Sequence, residues 1–259
     1  MIKKLLIVLA ILSAVLAFIV YLALSDNAAR AAVGERRSTP SGEADIHYFS
    51  SGPASATPVV LLPSYARSVS DFNELVVALN QAGFRTLAMQ PRGIDRSTLP
   101  TLNVTFHTYA SDLAAVLEAE KITEPIAIIG HAYGNRIART FATDYPERSH
   151  QLILLAAGGE AATPPEVSSA IMTALFGIFP ESSRREAVSF AFFAKGSEIP
   201  DYWLSGWYPM AGLAQGNATA ASSSASTNAH WADGGDDQMI ILQPAEDAAA
   251  EHGAASLLA

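Results

Sequence analysis

The residues best placed to organise chemistry stand in one short segment, Ile126-Ala127-Ile128-Ile129-Gly130-His131-Ala132-Tyr133-Gly134-Asn135. An apolar run suited to a buried strand leads through Gly-x-x-x-Gly into a helical pattern. The glycines make room for a sharp turn, and the residue midway between them points out of the sheet. That is the layout of an elbow that presents a nucleophile, yet its tip is Ala132. A methyl group has no lone pair and no proton to give up, so no acyl intermediate can form on it. Six histidines are scattered along the chain, and none lies in an H-E-x-x-H pattern. No metal site is expected from that spacing. His131 beside the elbow has the position of a packing residue. His47, His107 and His150 suit strand or helix ends, and His230, next to Trp231, is the one that could face a site. There is no cysteine, which removes disulfides and thiolate nucleophiles together. Neither a G-x-G-x-x-G nor a phosphate-binding loop is present, and no cofactor is expected.

An elbow needs alternating strands and helices around it, and the patterning supplies them. Strands are expected at Ala44 to Phe49, Val59 to Leu62, Thr86 to Met89, Ile126 to Ile129, Gln151 to Ala156 and Met239 to Leu242. Val59-Val60-Leu61-Leu62 is wholly apolar, as for a strand covered on both faces. Helices are expected from Ser70 to Gly83, from Ser111-Asp112 onward, and from Gly134 to Tyr145. This alternation predicts an α/β fold with a doubly wound, mostly parallel sheet. Residues 160–235 break the rhythm with helical patterns and clustered aromatics, and are expected to form an inserted cap within a domain spanning 43–259. Residues 26–42, rich in Ala, Arg, Ser and Pro, have the composition of a linker.

At the elbow, and at several other segments in matching order, the chain resembles the α/β-hydrolase superfamily. Val59 to Phe72 is similar to that family's strand and oxyanion loop. Gln90-Pro91-Arg92-Gly93-Ile94-Asp95-Arg96-Ser97 is similar to its D-x-R-G-x-G-x-S turn, and Gln243-Pro244-Ala245-Glu246-Asp247 to its Q-G-x-x-D. The resemblance covers about residues 44 to 247. It implies that Asp247 is the acid candidate, with Glu246 second and a solvated acidic loop as the plain alternative. It also implies that the backbone N–H groups of Tyr65 and Tyr133 are the oxyanion donors. Three departures accompany it: Ala132 for the nucleophile, Pro63-Ser64 for His-Gly, and Gln90 for Asp. In this fold the histidine follows the acid, and only a short remainder, containing His252, follows Asp247. No catalytic histidine is assigned there. The closing strand and helix of the fold are expected to be missing, as in a shortened C-terminus.

The first residues form a separate case. After Lys3 and Lys4, Leu5 to Leu24 carries no charge and is long enough for a hydrocarbon core of about 30 Å. Residues 1–25 are therefore expected to be an uncleaved signal anchor, a single-pass membrane helix. Cleavage near Ala29-Arg30-Ala31 is the alternative. The domain would then face outward, into a periplasm if the source is bacterial. In the chain as a whole, 25 acidic residues against 16 basic ones give a net charge of -9. That balance argues against a nucleic-acid partner, which selects a basic face.

Three functions are compatible with these residues. One is a non-catalytic family member that keeps a pocket for a small apolar carbonyl or carboxylate compound. Another is a hydrolase of a small ester or lactone that uses a non-standard nucleophile, for which Ser64 is the nearby hydroxyl. The third is a truncated gene product without function.

Overall fold

The computed structural model of the protein describes residues 2–25, 29–158, 163–222 and 233–248. In chain order the elements are α1 (Ile2–Leu24), β1 (Glu35–Ser41), β2 (Ala44–Ser51), β3 (Pro58–Leu62), α2 (Asn73–Gln81) and β4 (Arg85–Met89). Then come α3 (Phe106–Ala119), β5 (Ile126–His131), α4 (Tyr133–Asp144), β6 (Ser149–Leu155), α5 (Pro165–Leu175), α6 (Glu181–Phe192), α7 (Pro209–Ser222) and β7 (Gln238–Leu242). The strands form one seven-stranded sheet in the order β1-β2-β4-β3-β5-β6-β7. β1 pairs antiparallel with β2, and β2 with β4, whereas all the remaining pairs are parallel.

Side chains alternate across a strand, so a strand covered on both faces must be apolar throughout. β3 shows this directly. Val60 and Leu62 turn toward the side covered by α3 and α4, where they meet Leu113, Leu117, Ile137 and Phe141. Val59 and Leu61 turn to the opposite side, against Val69 and Phe72 just before α2 and Val76 within it. The strands expected from patterning are all present, and the alternation forms the doubly wound sheet.

Four local expectations are corrected. The segment 26–42 is not a linker throughout, because Glu35–Ser41 is the edge strand β1, in register with β2 from Glu35 opposite Ser50 to Ser41 opposite Ala44. Its polar residues conceal it, since only Thr39 and Ser41 are buried. The helix expected from Ser70 begins at Asn73, after a 3-10 turn at Val69–Phe72 capped by Ser68. Helix α3 starts at Phe106 rather than Ser111, because Thr105 and Thr108 form a reciprocal capping box. Asp112 is instead a buried partner of Arg92, with Nε–Oδ2 at 2.8 Å and Nη2–Oδ1 at 2.7 Å.

The fourth correction concerns the membrane. Leu5 to Leu24 is helical, within α1, but among the described residues no helix is long and apolar enough to cross a membrane. The signal anchor, the membrane partner and the extracytoplasmic single-pass placement all rested on that span, and they fall with it.

The sheet is locked to α3 by one carboxylate. Glu120 accepts from Tyr48 Oη at 2.6 Å, from Arg37 Nη1 at 2.9 Å and from Arg85 Nη2, and its side chain is only 6% exposed. Burial pushes this carboxyl up, but the hydrogen bonds from Tyr48, Arg37 and Arg85 outweigh it and hold the group below the usual glutamate value. Replacing Glu120 by Ala strands the buried Arg85 guanidinium and is expected to cost about 3 kcal/mol at neutral pH, read from urea unfolding. A depressed carboxylate stabilises the fold above its unfolded pKa and stops doing so as pH falls through its folded value. The stability gap between wild type and Glu120→Ala should therefore close below about pH 4. A gap independent of pH down to 3 would contradict the assignment.

Candidate functional site

Strand β5 delivers the elbow. Ala132 sits at φ 47° and ψ -106°, a backbone conformation that costs a residue with a Cβ about 1–3 kcal/mol. Its neighbours hold it there. The Ala132 N–H donates to Leu155 O at 2.8 Å, its carbonyl accepts from Asn135 N at 3.1 Å, and Asn135 Nδ2 donates to the same oxygen. The turn is tight enough that a Cβ on Gly134 would lie 2.2 Å from Leu62 O, and one on Gly130 would lie 2.7 Å from Gly134 O. Both glycines of the motif are therefore sterically required. The Tyr133 N–H, at the first position of α4, has no partner within the helix.

The tip faces two adjoining cavities of 360 Å³ and 280 Å³, which share Ser64, Ala132, Ala156 and Phe192 in their walls. The larger one is also lined by His131, Trp203, Glu246 and Asp247. The smaller one carries Tyr65, Tyr133, Asn135, Arg136 and Met172. The residues expected from sequence thus converge, with Ala132 common to both cavities, Asp247 on one side and Tyr65 and Tyr133 on the other. Asp247 accepts from Gln243 Nε2, and Glu246 accepts from the Lys195 N–H at 3.3 Å. His131 lies in the wall of the Asp247 cavity, and burial lowers its pKa below the usual histidine value. His107 is paired with Asp144 at 2.7 Å, far along α4 from the elbow, and His47 stands on β2. His230 and His252 lie outside the described residues. Among the described residues no group of His, Asp and Glu side chains is arranged to hold a metal.

Two tyrosines tie the elbow to α7. Tyr65 Oη donates to Gly212 O at 2.7 Å and Tyr133 Oη to Gln215 O at 3.2 Å, with the rings edge-on at 5.9 Å. Burial pushes the Tyr65 phenol up to about 12 and that of Tyr133 well above its usual value, so both remain donors at neutral pH.

The loop after β3 is held by contacts that sequence reasoning did not anticipate, including those of Gln90, which it noted only as a departure. Gln90 Nε2 donates to Ser68 Oγ at 2.9 Å, while its Oε1 accepts from Val69 N at 3.1 Å. Gln215 Oε1 accepts from Ala66 N at 2.7 Å. Arg67 pairs with Asp71 through Nε–Oδ2 at 2.8 Å, and its guanidinium lies 4.7 Å from the ring centres of both Trp203 and Trp207. Apart from the i,i+4 pair of Arg67 and Asp71, these contacts join segments well separated in the chain, and no local pattern reveals them. Arg136, also in the wall of the smaller cavity, stands in the first turn of α4.

Residues 57–243 match the sequence model of the alpha/beta hydrolase fold. The chain belongs to that family. Among curated relatives, it is 30% identical to a non-heme chloroperoxidase of Streptomyces lividans over 119 residues, 46% of this chain and 43% of that protein. It is 31% identical over 112 residues to an uncharacterized protein of Mycobacterium tuberculosis, covering 42% of this chain and 30% of that one. The chain thus spans less than half the length of the curated relatives it matches. Among solved structures, the enol-lactonase of Burkholderia xenovorans superposes with a TM-score of 0.68 at 18% identity, over 86% of both chains. An esterase from a Rhodococcus species gives a TM-score of 0.66 at 20% identity, over 86% of this chain and 85% of that one. At those identities the superpositions establish the fold alone.

Relief of the elbow's torsion is measurable. Ala132→Gly should stabilise the domain by about 1 kcal/mol in urea unfolding, because glycine adopts positive φ without a Cβ penalty. Gly134→Ala should destabilise it by about 3 kcal/mol or more, because the new methyl meets backbone that cannot yield. Gly158→Ala, where nothing lies within 4 Å of the added Cβ, is the control and should cost under about 1 kcal/mol. A destabilising Ala132→Gly would mean that the elbow is not strained.

Proposed function

We propose that this α/β-hydrolase-family protein binds a small apolar carbonyl or carboxylate compound at the elbow without cleaving it. One observation carries the reading: Ala132 occupies the strained tip, between two cavities, where the fold presents a nucleophile. The turn keeps its glycines and its outward-facing N–H groups, so anion-binding geometry persists without the atom that would attack. In this reading Tyr133 and Tyr65 supply backbone donors for a ligand oxygen. Asp247, the acid candidate, has no nucleophile to serve. Helices α5 and α6 belong to a cap of about residues 160–235, whose aromatic and aliphatic side chains give the ligand its apolar surroundings.

A second reading is favoured by one specific arrangement. Ser64 and His131 line the same cavity as Asp247, and a His131 kept neutral by burial could take a proton from a serine. Ser64 would then be a non-standard nucleophile toward a small ester or lactone.

The two readings separate on one experiment. A fluorophosphonate probe should leave the purified protein unlabelled, and ester substrates should give no burst of acyl product. Stoichiometric labelling that disappears in Ser64→Ala would overturn the binding reading in favour of the second. Ala132→Ser alone should not recover strong turnover, since a triad acts as a unit and a lone serine adds little.

A further inference from the structure

The larger of the two cavities that meet at Ala132 has a wall of one charge. Among the described residues, that wall holds two carboxylates, Glu246 and Asp247, and no lysine or arginine. Gln243 Nε2 donates to Asp247 and the Lys195 N–H to Glu246. These donors are uncharged, so they leave the negative charge of the pair in place. A carboxylate has about four acceptor positions on its two oxygens and can take more than one donor. His131 in the same wall adds no positive charge at neutral pH, because burial lowers its pKa below the usual histidine value. Phe192, Phe193 and Trp203 form an aromatic side, the Trp203 ring centre standing 5.3 Å and 5.2 Å from the other two. Such rings attract a cation through their electron-rich faces. The Arg67 guanidinium that also meets Trp203 is paired with Asp71 and is not part of this wall.

A second feature points to a ligand independently of charge. Ser64 is 3% exposed and lines the same cavity. Its hydroxyl has no hydrogen-bond partner among the described residues, yet it keeps accessible surface, and the cavity is the space it opens on. A hydroxyl in that position is satisfied by a ligand, and it rotates to accept from an N–H as readily as to donate.

We infer that the larger cavity is an ammonium-recognition subsite, in which Glu246, Asp247 and Ser64 select carbonyl compounds that also carry a small amine. The inference rests on the binding reading of the elbow and makes it specific. The carbonyl of the ligand lies at the elbow, and its protonated amine reaches into the larger cavity. There the carboxylates accept from N–H groups in charge-assisted hydrogen bonds, which are stronger than neutral ones. The ring or chain between the two ends rests on the aromatic side. Asp247, with no nucleophile to serve, acts here as a binding residue and takes part in no bond-making step.

The test uses 4-(aminomethyl)benzamide and 4-ethylbenzamide, which share ring, carbonyl and shape and differ in the charge of one end. Both are titrated calorimetrically into the full chain at neutral pH and low salt. Wild type should bind the aminomethyl compound at least tenfold more tightly. The double variant Glu246→Gln, Asp247→Asn should weaken it at least tenfold and leave 4-ethylbenzamide within twofold. Ser64→Ala should weaken the aminomethyl compound about threefold and spare the other. If 4-ethylbenzamide binds wild type as tightly as its charged counterpart, the subsite assignment is overturned while the binding reading stands. An unchanged preference in the folded double variant would overturn it equally, and the wild-type comparison decides the matter even if that variant does not fold. If neither compound binds wild type at millimolar concentration, the binding reading itself fails, and the subsite with it.

Discussion

Helix α4 begins where it does only because Gly134 has no side chain. Its backbone is pressed against Leu62 and Pro63, so close that a single added carbon would meet the Leu62 carbonyl at 2.2 Å. Gly130 allows the same intimacy one turn earlier, against Gly134 and Asn135. These contacts are between backbones, which cannot rotate away as side chains can, and they determine how β3, β5 and α4 meet. The positive φ of Ala132 follows from this crossing, as does the position of both cavities. If the helix were lifted by the width of a methyl group, the elbow would relax into an ordinary turn.

The loop leaving β3 forms the second wall of that space, and its anchoring differs from what the resemblance alone implies. Where an aspartate is expected, Gln90 has one amide that both donates to Ser68 and accepts from Val69. An ionised carboxylate could accept from the peptide but could not donate to the hydroxyl. From the other side Gln215 holds Ala66, and Arg67 is clamped between Asp71 and two tryptophans. The departure at position 90 therefore belongs to an alternative bonding scheme for this loop. These contacts bind α7 and the aromatic cluster to the loop after β3.

Those parts of the architecture that repeat with a period were legible in the sequence. β3 and β5 are apolar throughout because both faces are covered, and α4 carries its stripe of Ile137, Ala138 and Phe141. β1 was hidden because Glu35–Ser41 lies at the edge and buries little, so composition there resembles a loop. The start of α3 was hidden because threonine replaces the usual glutamate at the third position of its capping box. At the site, the elbow and the convergence of Asp247 on it were readable from local motifs. Gln90, Gln215 and the Arg67 stack were not, because each joins residues remote in the chain and follows no local pattern. The length of an apolar run was the least reliable guide, since it says how far a helix could reach and nothing of what surrounds it.

The empty elbow also makes the protein unusually easy to instrument. The chain contains no cysteine, so a single one placed at position 132 would be its sole thiol. It would stand at the N-terminus of α4, where the helix dipole favours the thiolate. A dye or spin label attached there would report from the junction of the two cavities rather than from the molecular surface. The torsion of Ala132 would give such a label a fixed mount.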